Sequence, residues 1–317
     1  METIYDLIIV GSGPAGLCAA IYAQRAKLSC ITIERNYMSG GQVINTYEVD
    51  NYPGLPGING FDMAQQFRAH AEKLGAEFVE AEVENIELLE NGVKKIVADG
   101  KDYYAKTIII ATGAKHRTLS VKGEEELSGM GVSYCATCDG AFFKNKTAAV
   151  VGGGDVAVED ALFLARACEK VYLIHRRDEL RAAKVLQEAA LSNEKIVPVW
   201  NSMVTEITGE DKVESIKLQN VTTKEEQVLS VEGVFVAVGI LPNTELFQEI
   251  LTLDESGYIR AGEDCKTSVE GIFAAGDVRT KPLRQIITAA ADGANAVTAV
   301  TEYLIQNSAK VDKNRGI

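Results

Sequence analysis

Two glycine-rich loops, each set between an apolar run and a segment without glycine or proline, constrain the fold of this chain more than any other feature. The first, Gly11-Ser12-Gly13-Pro14-Ala15-Gly16, lies between residues 5–10 and 17–26. The second, Gly152-Gly153-Gly154-Asp155-Val156-Ala157, lies between residues 147–151 and 158–167. A buried parallel strand that turns through such a loop into a helix is the unit that binds dinucleotides. The sequence therefore predicts an α/β protein with two Rossmann-like nucleotide-binding domains.

The first loop has the residue types that pyrophosphate binding requires. Its first glycine permits the tight turn, the second lets the backbone approach the phosphates, and the third lets the helix pack close to the strand. A second strand, residues 29–33, then ends at Glu34. A carboxylate about twenty residues after the loop accepts hydrogen bonds from an adenosine ribose and would repel a 2′-phosphate. The first site is therefore predicted to bind FAD or NAD, and not NADP.

The second loop has a basic cluster where the first has an acid. Adding 141 to the residue numbers of the first loop places Gly11 on Gly152 and Glu34 on His175. Arg176 and Arg177 follow, and we expect Arg181 one helical turn further on. Arginine forms planar, bidentate contacts with phosphate, so the cluster predicts a site for the 2′-phosphate of NADPH. A solvated, basic helix start is the alternative, and the agreement with the first copy disfavours it.

Two of the six cysteines form a motif, Cys135-Ala-Thr-Cys138, followed by Asp139. A structural zinc site takes four ligands, and no second cysteine pair or nearby histidine pair completes one, so no metal is predicted. In a reducing compartment a lone C-x-x-C favours redox catalysis over a permanent disulfide. Asp139 is a candidate proton donor and acceptor, with helix capping or turn formation as the alternative. We expect the other cysteines to be small buried side chains: Cys18, Cys30, Cys168 and Cys265.

Composition narrows the class of protein. A chain of 317 residues with 46% hydrophobic and 24% charged residues is typical of a soluble enzyme with two domains. No apolar run approaches the roughly twenty residues that cross a bilayer. The first strand begins at about Tyr5, which leaves no room for a signal peptide. We therefore expect a cytoplasmic protein with no membrane partner, and a net charge of -13 disfavours nucleic acid as a partner.

The order of the motifs predicts that one nucleotide domain is inserted into the other. The strand and turn at residues 108–113 have a counterpart at 234–239. A further buried strand then ends at Gly276-Asp277, and a helix from about residue 284 to 306 completes the first domain. We expect domain boundaries that give residues 1–115 and 246–317 to the first domain and residues 116–245, with the C-x-x-C motif, to the second.

Five motifs in this order and spacing resemble the bacterial-type low-molecular-weight thioredoxin reductases, which are class II pyridine nucleotide-disulfide oxidoreductases. They are Gly-Ser-Gly-Pro-Ala-Gly at 11–16, Ala-Thr-Gly at 111–113, Cys-Ala-Thr-Cys-Asp-Gly at 135–140, His-Arg-Arg at 175–177, and Gly-Ile-Phe-Ala-Ala-Gly-Asp-Val at 271–278. The resemblance covers essentially the whole chain. The motif at 135–140 is the most specific, because other members carry redox cysteines near the first FAD helix, where this chain has only Cys18.

The resemblance implies a homodimer in which an NADPH domain is inserted into a discontinuous FAD domain. Electrons would pass from NADPH to FAD, then to the Cys135/Cys138 disulfide, and then to thioredoxin. Cys138 would face the flavin, Cys135 would attack the partner disulfide, and Asp139 would handle the proton.

Further residues are implied to hold the two cofactors. Those for FAD are Gly11, Ser12, Gly13, Pro14, Ala15, Gly16, Glu34, Arg35, Gly41, Gln42, Asn51, Gly276, Asp277, Arg284, Gln285 and Ile286. Those for NADPH are Gly152, Gly154, Asp155, Val156, Ala157, His175, Arg176, Arg177 and Arg181. Ile286 is a departure, because smaller residues are common after Arg-Gln, and it could alter how the flavin packs.

Three other functions remain open on this scaffold. They are an oxygen-using dithiol oxidase that acts on a small molecule, a ferredoxin-driven reductase, and a nucleotide-binding redox sensor without turnover. The His-Arg-Arg cluster disfavours the first two, since neither needs NADPH. Similar hydroperoxide reductase flavoproteins carry an extra N-terminal module that this sequence does not have, so direct reduction of a peroxiredoxin is disfavoured. Consumption of NADPH in the presence of thioredoxin separates these functions.

Overall fold

The computed structural model describes residues 3–46 and 48–314 of the chain. Its α-helices, numbered in chain order, are α1 (Pro14–Arg25), α2 (Gly60–Lys73), α3 (Ala136–Asp139), α4 (Asp155–Leu164), α5 (Lys184–Leu191) and α6 (Ile286–Asn314). Its strands are β1 (Ile4–Val10), β2 (Cys30–Glu34), β3 (Glu77–Glu80), β4 (Val83–Leu88), β5 (Lys94–Ala98), β6 (Lys101–Ile110), β7 (Ala114–His116), β8 (Val132–Ser133), β9 (Thr147–Val151), β10 (Lys170–Ile174), β11 (Ile196–Val199), β12 (Ser202–Thr208), β13 (Ser215–Asn220), β14 (Glu226–Ser230), β15 (Gly233–Val236), β16 (Ile240–Pro242) and β17 (Ile272–Ala274). Short 3-10 helices occur at Gly41–Asn45, Gly140–Phe143 and Gly276–Val278.

The described residues divide into two compact units. Unit 1 runs to Thr46, continues from Tyr52 to Lys115, and resumes from Leu241 onward. Unit 2 holds His116–Ile240 and the short segment that ends at Asn51. The chain therefore leaves unit 1 and later returns to it. Strands β7 and β16 contain these two crossings and pair with each other.

Unit 1 is built on a parallel sheet in the order β3-β2-β1-β6-β17, with the hairpin β4-β5 joined to the first half of β6. Its central strands are buried on both faces, as expected for a parallel sheet covered on each side. Leu7 and Ile9 of β1 face a core with α1 and α6, while Ile8 and Val10 face the core on the other side. This alternation explains why the strand is an unbroken apolar run.

Unit 2 repeats the plan with a different cover. Its parallel sheet has the order β11-β10-β9-β15-β8, and the antiparallel sheet β12-β13-β14 lies in the same unit. Ala148 and Val150 of β9 pack with α4. Ala149 and Val151 pack on the opposite face against apolar residues of β12, β13 and β14. The prediction of an α/β fold with two Rossmann-like domains is confirmed.

Both nucleotide loops lie between the predicted strand and helix, and the helices begin a few residues earlier than we expected. Helix α1 begins at Pro14, because proline has no backbone N–H to lose in the first turn and its φ already suits a helix. Helix α4 begins at Asp155, directly after Gly154. In both units the last residues of the glycine loop therefore already form the first turn of the helix.

The expectation for Arg181 was wrong, because residues 176–183 form no helix and α5 begins only at Lys184. The backbone N–H of Arg181 donates to the carbonyl oxygen of Gly153 at 2.7 Å. The N–H of Ala183 donates to the Asp155 carboxylate at 2.7 Å. These donors bind the second glycine loop, so the segment lies against that loop and not in a helix.

The glycines of the first loop are required by close backbone approach. A Cβ on Gly11 would lie 2.5 Å from the carbonyl oxygen of Ala111, and one on Gly16 would lie 1.9 Å from the carbonyl oxygen of Gly11. A Cβ on Gly13 would meet no atom of another described residue within 4 Å, apart from its chain neighbours. Gly11 and Gly16 therefore serve packing within the fold, whereas Gly13 leaves open space beside the loop.

None of the helices in the described part of the chain combines the length and apolar character that crossing a membrane requires.

We expect Gly16→Ala to lower the free energy of unfolding by about 1 to 3 kcal/mol, because its methyl group overlaps a carbonyl oxygen that cannot move without disturbing β1. Gly13→Ala is the matched control and should change it by less than about 0.5 kcal/mol. The measurement is urea unfolding after removal of any bound nucleotide. Equal stability of the two variants would contradict the packing role of Gly16.

Candidate redox and nucleotide sites

The first glycine loop is held by the carboxylate at the end of β2. Oε2 of Glu34 accepts hydrogen bonds from the backbone N–H of Ser12 at 2.8 Å and from its hydroxyl at 2.9 Å. Oε1 accepts from the backbone and side-chain nitrogens of Asn36, both at 3.0 Å. The predicted ribose-binding position therefore also fixes the shape of the loop.

A second segment closes on the same loop. The N–H of Gly40 donates to the carbonyl oxygen of Ser12 at 2.9 Å. A Cβ on Gly41 would lie 3.5 Å from the α-carbon of Gly13. The structure thus brings loop 11–16, Glu34 and the predicted site residue Gly41 together at the carboxyl ends of β1 and β2.

The turn after β17 adds two polar atoms that have no partner. A Cβ on Gly276 would lie 2.9 Å from Cβ of Ala15, so this turn reaches the start of α1. Oδ1 of Asp277 and Nε of Arg284 are buried, and neither has a hydrogen-bond partner among the described residues. Burial raises the pKa of Asp277, while Lys281 and Arg284 act to lower it. The Arg284 guanidinium lies 3.9 Å from the centre of the Tyr258 ring.

These features fit a bound dinucleotide in unit 1. Buried polar groups in native proteins are almost always hydrogen-bonded, so an unpartnered acceptor and an unpartnered donor indicate a ligand with hydroxyl and oxygen groups. The open space beside Gly13, next to the N-terminus of α1, suits a pyrophosphate.

A buried network of ion pairs and hydrogen bonds around Asp292 holds the turn after β17 in place. The Asp292 carboxylate accepts from Nε and Nη2 of Arg279 at 2.8 and 2.6 Å and from Nζ of Lys281 at 2.8 Å. It also accepts from the backbone N–H of Gly276 at 2.9 Å. Arg279 and Asp292 are each 2% exposed. Although burial alone would raise the pKa of Asp292, hydrogen bonds from Arg279 and Lys281 hold it below its ordinary value.

The second glycine loop is packed against the side chain that replaces Glu34. A Cβ on Gly153 would lie 2.3 Å from the His175 ring, and one on Gly152 would lie 2.4 Å from the carbonyl oxygen of Ala237. A Cβ on Gly154, like one on Gly13, would meet nothing within 4 Å. Together with the hydrogen bond between Arg181 and Gly153, these contacts bring the loop, His175 and the backbone of Arg181 together at the carboxyl ends of β9 and β10.

The residues of the basic cluster differ in burial: the His175 ring is buried, whereas Arg176, Arg177 and Arg181 are exposed. His175 is 5% exposed, and its Nε2 has no hydrogen-bond partner among the described residues. Burial lowers the pKa of His175, and the charges of Arg181, Arg177 and Arg176 lower it further. The ring is therefore neutral near pH 7, and the three exposed arginines carry the positive charge. Exposed guanidinium groups beside an open glycine loop fit a phosphate ligand.

Cys135 and Cys138 form a disulfide with their α-carbons 5.3 Å apart. Cys135 precedes α3, and its carbonyl oxygen accepts from the N–H groups of Cys138 and Asp139 at 3.2 and 3.1 Å. Burial raises the pKa of the Asp139 carboxyl, and a hydrogen bond from Ser133 opposes that shift. Oδ1 of Asp139 is buried and unpartnered among the described residues. The residue that follows Cys138 in the chain therefore has a carboxyl that holds a proton more readily than an ordinary aspartate.

The other cysteines resemble the small buried side chains that we expected. Cys30, Cys168 and Cys265 are buried, and Cys18 is half-buried. Within the described residues, no group of three or more histidine, cysteine, aspartate or glutamate side chains could hold a metal ion.

Several predicted cofactor residues lie where the contacts do not assign a role. Arg35 and Gln42 are exposed, and Ile286 is half-buried at the first position of α6. Gln285 precedes it, and its carbonyl oxygen accepts the N–H of Ala289. Asn51 is grouped with unit 2, whereas the other predicted FAD residues belong to unit 1. The roles of these residues stay predictions.

Sequence reasoning did not find Ser133 or the network of Asp292, Arg279 and Lys281. Ser133 is two residues before the first cysteine, and this proximity was its only signal. Asp292 follows three alanines inside a helix, where a charged residue on an apolar segment could have indicated a buried partner.

We expect Asp292→Ala to lower the free energy of unfolding by about 3 to 5 kcal/mol, because it removes the carboxylate that pairs with the buried Lys281 ammonium and leaves the buried Arg279 guanidinium with only the exposed Glu263 as a partner. Chemical unfolding of the variant against wild type measures the loss. Asp102→Ala, which removes one of the two exposed carboxylate partners of Lys95, is the control and should remain close to wild type.

The contribution of Asp292 should also depend on pH. Because its folded pKa is depressed, the stability that it supplies is present above the unfolded value of about 3.9 and is lost as the pH falls through the folded value. The stability difference between wild type and Asp292→Asn should therefore shrink below about pH 4. A difference that grew with acid would contradict the assignment of Asp292 as the ionised partner.

Known proteins give the same picture over nearly the whole chain. A family model described as pyridine nucleotide-disulphide oxidoreductase matches residues 5–293. The thioredoxin reductase of Listeria innocua is 48% identical over 304 residues, which are 96% of this chain and 95% of that protein. The thioredoxin reductase of Bacillus subtilis is 47% identical and covers 96% of both chains. The crystal structure of thioredoxin reductase from Streptococcus pyogenes is 45% identical, with a TM-score of 0.92 over 96% of this chain and 100% of that one. The chain therefore belongs to the pyridine nucleotide-disulphide oxidoreductase family, and within it to the thioredoxin reductases.

Proposed function

We propose that the protein is an NADPH-dependent thioredoxin-disulfide reductase that uses FAD and the Cys135/Cys138 pair. The observation that carries this proposal is the disulfide itself, with a proton-holding carboxyl beside it, in the same unit as a nucleotide loop and a basic cluster. In the net reaction NADPH and one proton become NADP⁺, and the disulfide of thioredoxin becomes a dithiol. Two electrons are transferred.

FAD is assigned to unit 1. Loop 11–16 would hold the pyrophosphate at the N-terminus of α1, and Glu34 would accept from the adenosine ribose. Asp277 and Arg284 would offer their unpartnered atoms to the remaining polar groups of the cofactor. When bound, FAD supplies a two-electron carrier between a nicotinamide and a disulfide. The chain contributes orientation, and the Asp292 network keeps the Gly276-Asp277 turn in place.

NADPH is assigned to unit 2. Loop 152–157 would hold its pyrophosphate at the N-terminus of α4. Arg176, Arg177 and Arg181 would bind the 2′-phosphate, because guanidinium groups stay charged at any working pH. His175 would offer its buried Nε2 as a neutral hydrogen-bonding group.

The dithiol performs the exchange chemistry. The Cys135 thiolate attacks one sulfur of the thioredoxin disulfide, so a mixed disulfide forms and a thiolate leaves. Asp139 gives that thiolate a proton. The Cys138 thiolate then attacks the Cys135 sulfur of the mixed disulfide, which regenerates the enzyme disulfide and releases the second thioredoxin sulfur as a thiolate that takes its proton from solvent. A carboxyl with a raised pKa suits this role, because it still holds a proton at a pH where an ordinary aspartate has lost it.

The domain boundaries of this proposal are residues 1–115 and 246–317 for FAD and residues 116–245 for NADPH. The compact units support these boundaries to within a few residues. The proposal also includes a homodimer, which the family resemblance implies. A redox-active C-x-x-C pair that cycles through the dithiol works best in a reducing compartment, which favours the cytoplasm.

The proposal is tested with the purified protein, FAD and a thioredoxin. NADPH should be oxidised rapidly when thioredoxin is present, and at a much lower rate when a small-molecule disulfide replaces it. Oxygen-dependent oxidation of a small dithiol without NADPH would favour the oxidase, and activity only with reduced ferredoxin would favour the ferredoxin-driven reductase. Nucleotide binding without turnover of any disulfide would favour the sensor.

Changing both Arg176 and Arg177 to alanine should raise KM for NADPH roughly tenfold or more for each lost phosphate contact and leave KM for NADH nearly unchanged. Only NADPH carries the 2′-phosphate. Arg166→Ala, an exposed arginine in the same unit, is the matched control. An equal loss with both nucleotides would contradict the assignment of these arginines to the 2′-phosphate.

Serine variants of the two cysteines should differ in whether they accumulate a covalent complex with thioredoxin. In Cys138→Ser the attacking Cys135 remains but its mixed disulfide cannot be resolved, so a covalent complex with thioredoxin should accumulate. Cys135→Ser should form little or none of this complex, although both variants lose turnover. Non-reducing electrophoresis after incubation with oxidised thioredoxin measures the complex, and the opposite result would reverse the assigned roles.

A further inference from the structure

Ser133, at the end of β8, contacts both the Asp139 carboxyl and the peptide of Cys135. Its hydroxyl donates to Oδ2 of Asp139 at 2.6 Å. The same oxygen accepts from the backbone N–H of Cys135 at 3.1 Å. Ser133 is only 5% exposed, so water does not compete strongly for these contacts.

The two carboxylate oxygens of Asp139 are therefore not equivalent. Oδ2 is occupied by Ser133, whereas Oδ1 is buried without a hydrogen-bond partner among the described residues. A carboxyl free to rotate would present either oxygen. With Oδ2 held by a short hydrogen bond, Oδ1 is the oxygen left for proton exchange.

The Ser133 hydroxyl also has a second possible hydrogen-bond acceptor. Oγ of Ser133 lies 3.4 Å from the carbonyl oxygen of Cys135, in addition to its contact with Asp139. When Asp139 is ionised, the hydroxyl donates to the carboxylate. When Oδ1 carries a proton, Oδ2 remains an acceptor, so the hydroxyl can keep this hydrogen bond or turn to the Cys135 carbonyl. Ser133 thus has a partner in either protonation state of the acid.

We propose that Ser133 is a positioning residue for proton transfer, whose hydroxyl holds Oδ2 of Asp139, leaves Oδ1 to exchange the proton, and ties the acid to the peptide of Cys135. This inference rests on the proposed function, because it concerns the proton that balances thiol–disulfide exchange. Asp139 passes one proton to the leaving thiolate and recovers it from solvent, and Ser133 gains and loses no net proton.

Other ionisable groups near α3 must be separated from Asp139. Two elements pack most closely against α3: the 3-10 helix Gly140–Phe143, which carries no titratable side chain, and α4, which carries Asp155, Glu159 and Asp160. Burial, together with the charge of Glu159, raises the pKa of Asp160 to about 7. Tyr134 lies between β8 and α3, and its hydroxyl donates a hydrogen bond to the Glu124 carboxylate. Asp160 is therefore the group whose titration would be most easily mistaken for that of Asp139.

The experiment is a double-mutant cycle of Ser133→Ala and Asp139→Asn in the FAD-loaded protein, read as the pH profile of kcat/KM for thioredoxin. Removing the hydroxyl removes a bond that favours the ionised acid, so the alkaline limb should move to higher pH by about one unit. Ser133→Thr keeps a hydroxyl and should restore the wild-type limb. In the Asp139→Asn background, Ser133→Ala should add no shift. The shift should persist in an Asp160→Asn background.

A limb that Ser133→Ala does not move would overturn the proposal. So would a shift of equal size with and without Asp139, or a Ser133→Thr profile that matches Ser133→Ala. A parallel measurement does not depend on thioredoxin: alkylation of the reduced dithiol by iodoacetamide against pH. It should differ between wild type and Ser133→Ala but not between Asp139→Asn and the double variant. If wild type fails to reduce thioredoxin, the proposed function is wrong, and the alkylation cycle still decides the role of Ser133.

Discussion

The close approach of each first loop glycine to the strand beside it is the constraint on which both sites depend. A Cβ on Gly11 would lie 2.5 Å from the carbonyl oxygen of Ala111, just after β6, and one on Gly152 would lie 2.4 Å from that of Ala237, just after β15. In both units the turn therefore presses against the neighbouring strand end, and the next helix starts at the carboxyl edge of the sheet. Strand order, loop and helix N-terminus follow from one packing requirement, which is met twice.

Buried carboxylates in this chain differ in how completely their oxygens are used, and that difference separates support from chemistry. Both oxygens of Glu34 accept hydrogen bonds, and Asp292 is surrounded by two cations and a backbone N–H. The charge of Asp292 is thereby compensated, whereas Glu34 is hydrogen-bonded only to the neutral donors of Ser12 and Asn36. Both carboxylates fix the geometry around them. Asp277 and Asp139 each keep one buried oxygen without a partner among the described residues, and burial raises the pKa of both. An unsatisfied acceptor is costly unless something else binds it, so these two positions indicate a ligand and a proton, respectively.

Much of the fold follows from local pattern, because an apolar run, a glycine turn and a helix are specified by residues that are adjacent in the sequence. The strands around both loops and the pair of Rossmann-like sheets were predicted on that basis. The helical position of Arg181 was predicted wrongly, since the hydrogen bond of its N–H to Gly153 is a tertiary contact that propensity does not encode. For the same reason the sequence did not reveal the bond between Asp292 and Gly276 or that between Ser133 and Asp139. What a residue contributes to a site depends on which distant atoms the fold brings to it.

Under the proposed function, the equivalent positions Glu34 and His175 give one scaffold two nucleotide specificities. The Glu34 carboxylate accepts a hydrogen bond from Ser12 of its own loop, and its negative charge would repel a phosphate group placed near it. His175 packs its ring against Gly153 and has a lowered pKa, so it supplies no repulsion and almost no positive charge near pH 7. In the proposed assignment, attraction for the 2′-phosphate comes from the three exposed arginines. The exchange of acid for imidazole would remove a repulsive charge, and the arginines would provide the binding energy.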